Sequence, residues 1–322
     1  YRWLRAYANY ALLISEWNDD FNGYVFPMWK GGTLQEGEWW YFQLKALPLE
    51  KLETVSDLFP KELRKKKLLC PIDTVLSHKW ILLRAAELAE HLDRDNDLRQ
   101  RWFEVAQKIH IPRNEKVILR HEHDDRIKIS HIPPEIWGLF YPCEGNYKQF
   151  PDAVVNATLK AVRKCRNPHI PSWNGLYLSL AYAMAGDAEN AWQLLQELLL
   201  TQDPRCIQAQ DNVDTEGFVY YYYLNHAFLL IALRNIVLQY QDGQVTLFPA
   251  IPRQLEDGVE FVNLPVGGAM RVNARLCGDK GEATFMTADG EVKLKVTGRI
   301  RGFKISKSDL LHSSGEVLSL KL

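Results

Sequence analysis

A long apolar segment, GFVYYYYLNHAFLLIALRNIVLQYQDG, stops at Asp242-Gly243, and Gln244-Val245-Thr246-Leu247-Phe248-Pro249-Ala250-Ile251-Pro252 follows at once. Before that point, apolar residues recur with the period of a helix. After it, short alternating runs are separated by Gly and Asp turns, the mark of antiparallel strands. Such a chain must bury helical faces in one part and strand faces in another. The predicted fold class is therefore mainly α with a β tail, with a helical region over 1–243 and a β-domain over 244–322.

In the helical part the first segment, residues 1–17, carries Trp3, Leu4, Tyr7, Ala8, Tyr10, Ala11, Leu12 and Ile14 at helical spacing and ends in the turn residues Trp17 to Gly23. VLSHKWILLRAAELAEHL, residues 75–92, is a clear helix. DNDLRQRWFEVAQKI reads as its antiparallel partner, with Asp95 or Asn96 as N-cap. EKVILRHEHDDRIKISHI alternates as a short hairpin, and PDAVVNATLKAVRKC is a helix with Pro151 at its first turn. WNGLYLSLAYAMAG closes at Gly186, and DAENAWQLLQELLLT opens at a cap, Asp187. The segment from Gly217 to Gly243 reads as one long buried helix. Repeated helix–loop–helix pairs with long loops describe an (α/α) toroid, and about eight helices precede Gly243.

These motifs, in this order, resemble the C-terminal end of six-hairpin glycosidases, above all the family-95 α-fucosidase type and its family-65 relatives. QVTLFPAIP is similar to their exit strand, and Val262-Asn263-Leu264-Pro265-Val266-Gly267-Gly268 to the segment that opens their β-domain. CPIDTVLSHKWILLRAAELAEHL resembles a helix of both families, and WNGLYLSLAYAMAGDAENAWQLLQELL their penultimate hairpin. The resemblance implies an (α/α)6 toroid followed by a small antiparallel β-sandwich-like domain. It also implies a carbohydrate substrate, no cofactor, and an extracellular or periplasmic place. A complete barrel has twelve helices and this chain begins inside a helix, so it reads as the C-terminal portion of a longer protein, with the missing N-terminal portion as a partner.

In that family a loop after the first of these helices carries the general-acid Glu. Here GGTLQEGEWW offers Glu36 and Glu38 in the corresponding place. Hydrolysis of a glycosidic bond uses two carboxyl groups, roughly 5–5.5 Å or 6.5–9.5 Å apart according to the stereochemical outcome. Glu38 beside Trp39, Trp40 and Tyr41 has the apolar surroundings that raise a carboxyl pKa, or is an exposed loop acid beside packing aromatics. Asp214 is the candidate base and Glu216 a candidate substrate contact, or the two are an N-cap and a first-turn acid of the last helix. The family pattern places Asp-x-Asn-Phe-Gly at the head of that helix. This chain has Tyr223-Leu224-Asn225-His226-Ala227, so Asn225 is left to orient a water and His226 to line the cavity, or the two are a satisfied polar pair in the core. Trp29, Trp39, Trp40 and Trp173 are candidate stacking platforms for sugar rings, and Asn174 a hydrogen-bonding partner.

Other function classes find little support. A net charge of −1 offers no field for nucleic acid, and the basic run Arg64–Lys67 reads as a solvated face. No apolar run reaches the length of a membrane span. Five cysteines, at 70, 143, 165, 206 and 277, lack metal spacing and read as buried thiols. His121 and His123 share a strand face without Glu122, which favours a solvated turn over a metal site. The leading reading is a glycoside hydrolase. The alternatives are a catalytically silent carbohydrate-binding relative and a helical scaffold with a β-module.

Overall fold

The computed structural model describes residues 1–26, 72–120, 134–140, 146–165, 171–200, 210–213, 219–221, 224–241, 243–266, 270–278, 280–287, 290–297, 302–306 and 317–321. The chain forms two compact units, Tyr1–Pro168 and His169–Leu322. As the residue pattern implies, helices come first and a β tail last.

In the first unit, α1 (Arg2–Ile14) turns Ala8, Ala11 and Ile14 inward. The two alanines have no bulk, so α1 lies close against α2 (Ile72–His91), which presents Val75, Leu82, Ala85, Ala86 and Ala89. The core is completed by Trp102, Val105 and Ala106 of α3 (Asn96–Gln107). Trp102 is wholly buried, and its indole N–H donates to Asn9 Oδ1 at 3.1 Å, so its one polar atom is satisfied. The opposite side of α1 shows Trp3, Tyr7, Tyr10 and Leu13 exposed.

The turn between α2 and α3 explains a departure from the expected cap. Asp93 takes the left-handed conformation at φ 49°, and the amide of Arg94 reaches back to the Ala89 carbonyl at 2.9 Å, closing α2. Asp95 then stands at the N-cap position of α3, also left-handed, with no side-chain bond to the helix. Its carboxylate is instead taken by the Tyr1 hydroxyl and by Arg5 Nε at 2.9 Å. These bonds hold the Asp95 carboxyl below its ordinary range, the Arg5 contact first.

The helix expected over 1–17 ends at Ile14, because Glu16–Asn18 is a strand (β1) paired with Gly23–Val25 (β2). Tyr24 of β2 exchanges backbone bonds with Lys108 and His110, each at 2.8 Å. This strand runs so close to α3's exit that a Cβ on Gly23 would meet the Lys108 carbonyl at 2.7 Å. Beyond α3, the described part of the expected 115–132 hairpin is a tight turn whose single bridge pairs Arg113 with Ile118. The Asn114 side chain holds it, accepting from the amides of Lys116 and Val117 at 2.9 Å. The unit closes with α4 (Pro134–Leu139), a 3-10 turn (Asn146–Gln149) and α5 (Asp152–Cys165).

In the second unit, α6 (Pro171–Met184) and α7 (Ala188–Leu200) form the expected hairpin. Gly186 is left-handed at φ +81°, and the Asp187 amide returns to the Tyr182 carbonyl at 2.9 Å. Asp187 also opens α7, its Oδ1 accepting from the Asn190 amide at 3.2 Å. Ser179 Oγ donates to the Ala191 carbonyl at 2.8 Å and ties the two helices together.

The long helix expected over 217–243 is corrected at both ends. Val219–Tyr221 is a strand (β4) paired with Gln210–Val213 (β3), and the helix, α8, spans Leu224–Val237. The tyrosine run favours extended backbone, where aromatic side chains pack across strands. At the other end Leu238–Gln241 (β5) is already a strand, paired with Gln244–Leu247 (β6). An Asp-Gly pair stops a helix as well as it turns a two-residue hairpin, and here Gln241 is paired with Gln244. Gly243 accordingly has φ +74°. The amides of Phe248 and Ala250 cover the last α8 carbonyls, Val237 and Ile236, at 2.7 and 3.1 Å.

Among the described residues the tail forms two sheets. Strand β6 lies between β5 and β11 (Phe303–Ser306), both antiparallel to it. The larger sheet runs in the order β12, β10, β9, β8, β7, formed by Val317–Lys321, Gly290–Thr297, Lys280–Thr287, Arg271–Cys277 and Val259–Pro265. In β8 Val272, Ala274 and Leu276 point inward and alternate with exposed Arg271, Arg275 and Cys277. Cys277 is therefore an exposed thiol, not the buried one expected, because the period-2 pleat puts it outside. One pairing departs from the all-antiparallel expectation: β12 joins β10 parallel.

Candidate functional site

Polar side chains inside the first unit gather where two helices start. Asp73 is the second residue of α2 and Glu135 the second of α4. Sequence explains both starts. Pro134 fits the first helical position, where no amide is needed, and an acid in the first turn suits the helix dipole. The first turns of α2 are held from three directions. The Ile72 amide donates to the Arg120 carbonyl at 2.8 Å. Gly138 of α4 rides against the first turn of α2, where a Cβ would meet the Ile72 carbonyl at 3.0 Å and the Asp73 Cα at 3.2 Å. Asn146 donates through one Nδ2 to both the Leu76 carbonyl of α2, at 3.2 Å, and the Gly138 carbonyl of α4, at 3.0 Å.

Burial here is severe. Asp73 is 6% exposed, and Glu135 and Arg120 are each 1% exposed. Burial pushes the Asp73 carboxyl up to about 7, helped by the negative charge of Glu135 and opposed by the amides of Thr74 and Asp73 itself. Asp73 Oδ1 has no hydrogen-bond partner among the described residues. Further along α2, His78 Nδ1 sits 2.8 Å from the Thr74 carbonyl, and its ring stacks on Phe26 at 4.8 Å. That contact fixes the proton on Nδ1, and burial pushes the imidazole down, towards its neutral form. Burial also lowers the Lys79 ammonium. The first turns of α2 thus carry three groups whose charged forms burial disfavours.

On the outer side of α2 and α3 lies a groove of about 560 Å³, lined by Leu83, Glu87, Glu90, Asp97, Arg99 and Phe103 among others. Its acids are partly neutralised, since Arg99 lies 3.6 Å from Glu90. No group of three or more His, Cys, Asp or Glu among the described residues is placed to hold a metal ion. Among those residues no helix is long and apolar enough to cross a membrane.

Of the residues singled out in the sequence, Trp29, Glu36, Glu38, Trp39, Trp40, Asp214 and Glu216 lie outside the described residues. So do the His121–Asp125 run and Arg64–Lys67. Trp173 and Asn174 fall in the first turn of α6, and Asn225 and His226 in the first turn of α8, as backbone positions. Asp214 and Glu216 do not open the last helix, which starts at Leu224; they fall between β3 and β4. The buried set of Asp73, Arg120, Glu135 and Asn146 was not foreseen. Its signal is only local: acids after Pro-Ile and Pro-Pro mark helix starts, and nothing in the spacing says that the two helices meet.

No protein-family model matches the chain, and no curated protein matches it significantly.

Proposed function

We propose that this protein is a glycoside hydrolase of the six-hairpin kind, its helices belonging to an (α/α)6 toroid and its tail to a β-sandwich-like domain. One observation carries the reading. The hairpin α6–α7, with its Gly186-Asp187 turn, is followed by α8 and then by the β5–β6 strands and β tail, the order that the resemblance implies. In this reading Glu38 gives a proton to the leaving oxygen, with Glu36 as alternate, and Asp214 activates water that Asn225 orients. Trp29, Trp39, Trp40 and Trp173 stack on sugar faces, while Asn174, Glu216 and His226 bond the hydroxyls.

The test is release of reducing sugar from a broad oligosaccharide panel by wild type, Glu38→Gln and Asp214→Asn. General acid–base groups contribute roughly 10²–10⁴-fold each, so each variant loses most of the turnover. Wild-type turnover in both refutes the assignment. A second reading is favoured by Tyr223–Ala227, which lacks the Asp of the family pattern. A silent relative quenches Trp fluorescence with an oligosaccharide and cleaves nothing.

A further inference from the structure

We propose that the outer face of α1 is the interface of a weak symmetric dimer, seated against the same face of a second copy of this chain in antiparallel register. The inference is independent of the glycosidase reading. Among the described residues nine large apolar side chains are exposed, and four of them, Trp3, Tyr7, Tyr10 and Leu13, lie on this one helix. At about 100° per residue they share one side of it, away from Ala8 and Ala11, which face the core. Ala6, also exposed, lies among them. Single exposed apolar residues are ordinary, but a contiguous patch marks a contact surface. The neighbouring helices are finished differently. Charges line the outer sides of α2 and α3 and pair there, Arg84 with Glu87, Arg99 with Glu90 and Arg101 with Glu104. On α1 no charged residue occurs from Ala6 to Ser15. A helix that is apolar on both sides is one that is covered on both sides.

Size and pattern select a second copy as the cover. A whole aromatic side chain buries about 150–250 Å², so with Trp3, Tyr7, Tyr10 and Leu13 exposed by 81%, 57%, 42% and 77% the patch offers about 500 Å². Two such patches bury about 1,000 Å² when they meet, the lower limit for a specific interface and the range of weak association. The pattern is also its own complement. Turned end for end about the level of Ala8, the set Trp3, Ala6, Tyr10 and Leu13 falls on itself. Trp3 then meets Leu13 of the second copy, and the Tyr10 ring meets the small Ala6, bulk against space, as an isologous helix pair requires. The same register sets the two helix dipoles against each other and brings Arg2 to the C-terminal end of the opposing α1, where a cation is favoured.

The experiment measures the mass of the full chain by sedimentation from about 1 to about 300 μM. Wild type passes from monomer to dimer across that range. Leu13→Glu and Trp3→Lys each set a charge against an apolar side chain of the second copy, and each weakens association at least about tenfold. Mixed in equal amounts they restore it, because every mixed dimer keeps one Trp3–Leu13 contact and gains one Lys–Glu pair. Phe103→Glu, at the exposed ring of α3, leaves the dimer unchanged. A wild type that is monomeric at every concentration overturns the proposal, and so does a dimer indifferent to both α1 variants. A mixture that stays monomeric also overturns it, because the Trp3–Leu13 register then fails. Where a variant loses its helical circular dichroism, hydroxyl-radical footprinting of wild type takes its place. Protection of Trp3 and Leu13 that grows with concentration supports the dimer. Protection already complete in the dilute monomer means that the rest of the chain covers the face, and that result, like no protection at any concentration, ends it.

Discussion

Replacing Asn146 by Ala tests whether the joint at the start of α2 is held by one side chain. Asn146 is buried, and its Nδ2 donates to two carbonyls, Leu76 at 3.2 Å and Gly138 at 3.0 Å. Each bond contributes about 0.5–1.5 kcal/mol net, so removing both costs about 1–3 kcal/mol. The two carbonyls are not equivalent. Leu76 lies inside α2 and keeps its in-helix partner. Gly138 lies one residue from the end of α4, where helical carbonyls lack in-helix donors. Its desolvation places the expected loss in the upper half of that range, about 2–3 kcal/mol. The assay is urea unfolding of the full chain at pH 5, with hydrogen exchange to locate the loss in 134–140. Asn146→Asp is the control. Its ionised carboxylate turns a donor into an acceptor facing two carbonyls, so it costs more than Ala at pH 7. Its deficit shrinks as the pH falls and the carboxyl regains a proton to donate. If Asn146→Ala lies within 0.5 kcal/mol of wild type, or Asp and Ala behave alike at every pH, the bridging role is wrong.

Two further substitutions probe the frame around the joint. Thr158→Val keeps the shape of a wholly buried side chain whose Oγ1 accepts from the Ile118 amide at 3.0 Å and donates to Val154 at 2.8 Å. Stability falls by about 1–2 kcal/mol, read as a lower urea midpoint, and an unchanged midpoint contradicts the account. Gly23→Ala puts a Cβ 2.7 Å from the Lys108 backbone carbonyl, so β2 must move off the exit of α3. A loss of about 1–3 kcal/mol and faster exchange at Tyr24 and His110 are expected, and wild-type exchange there refutes the contact.

The legible parts of this chain are those whose signal is local. The α6–α7 hairpin was readable because Gly186 and Asp187 carry its turn chemistry in adjacent residues: a left-handed glycine and a capping carboxylate. The alternation of β8 was readable because one face of that strand is apolar. Misreadings came where one local signal serves two structures. Asp242-Gly243 ends helices and turns hairpins, and the choice between them was made by Leu238–Gln241 finding β6 as a partner. Asp95 has a capping side chain, but Tyr1 and Arg5, some ninety positions earlier, bond it in place of the start of α3. The buried carboxyl set was illegible for the same reason. Its members come from positions 73, 120, 135 and 146, and no local rule links them.

That distance in sequence is also what gives the joint its character. α4 has six residues, and its first-turn acid is buried rather than solvated, so neither propensity nor the dipole accounts for its position. What fixes it is contact: Ile136 and Leu139 in the core, Gly138 against the backbone of α2, and Asn146 across both helices. Each of these is a short-range restraint with no slack, since a Cβ at Gly138 already meets α2 at 3.0 Å. A seam so close excludes water, and that exclusion is what pushes the Asp73 carboxyl up. Packing and the raised carboxyl are therefore one feature of the joint rather than two: whatever widens the gap solvates the carboxyl and returns it towards its ordinary range.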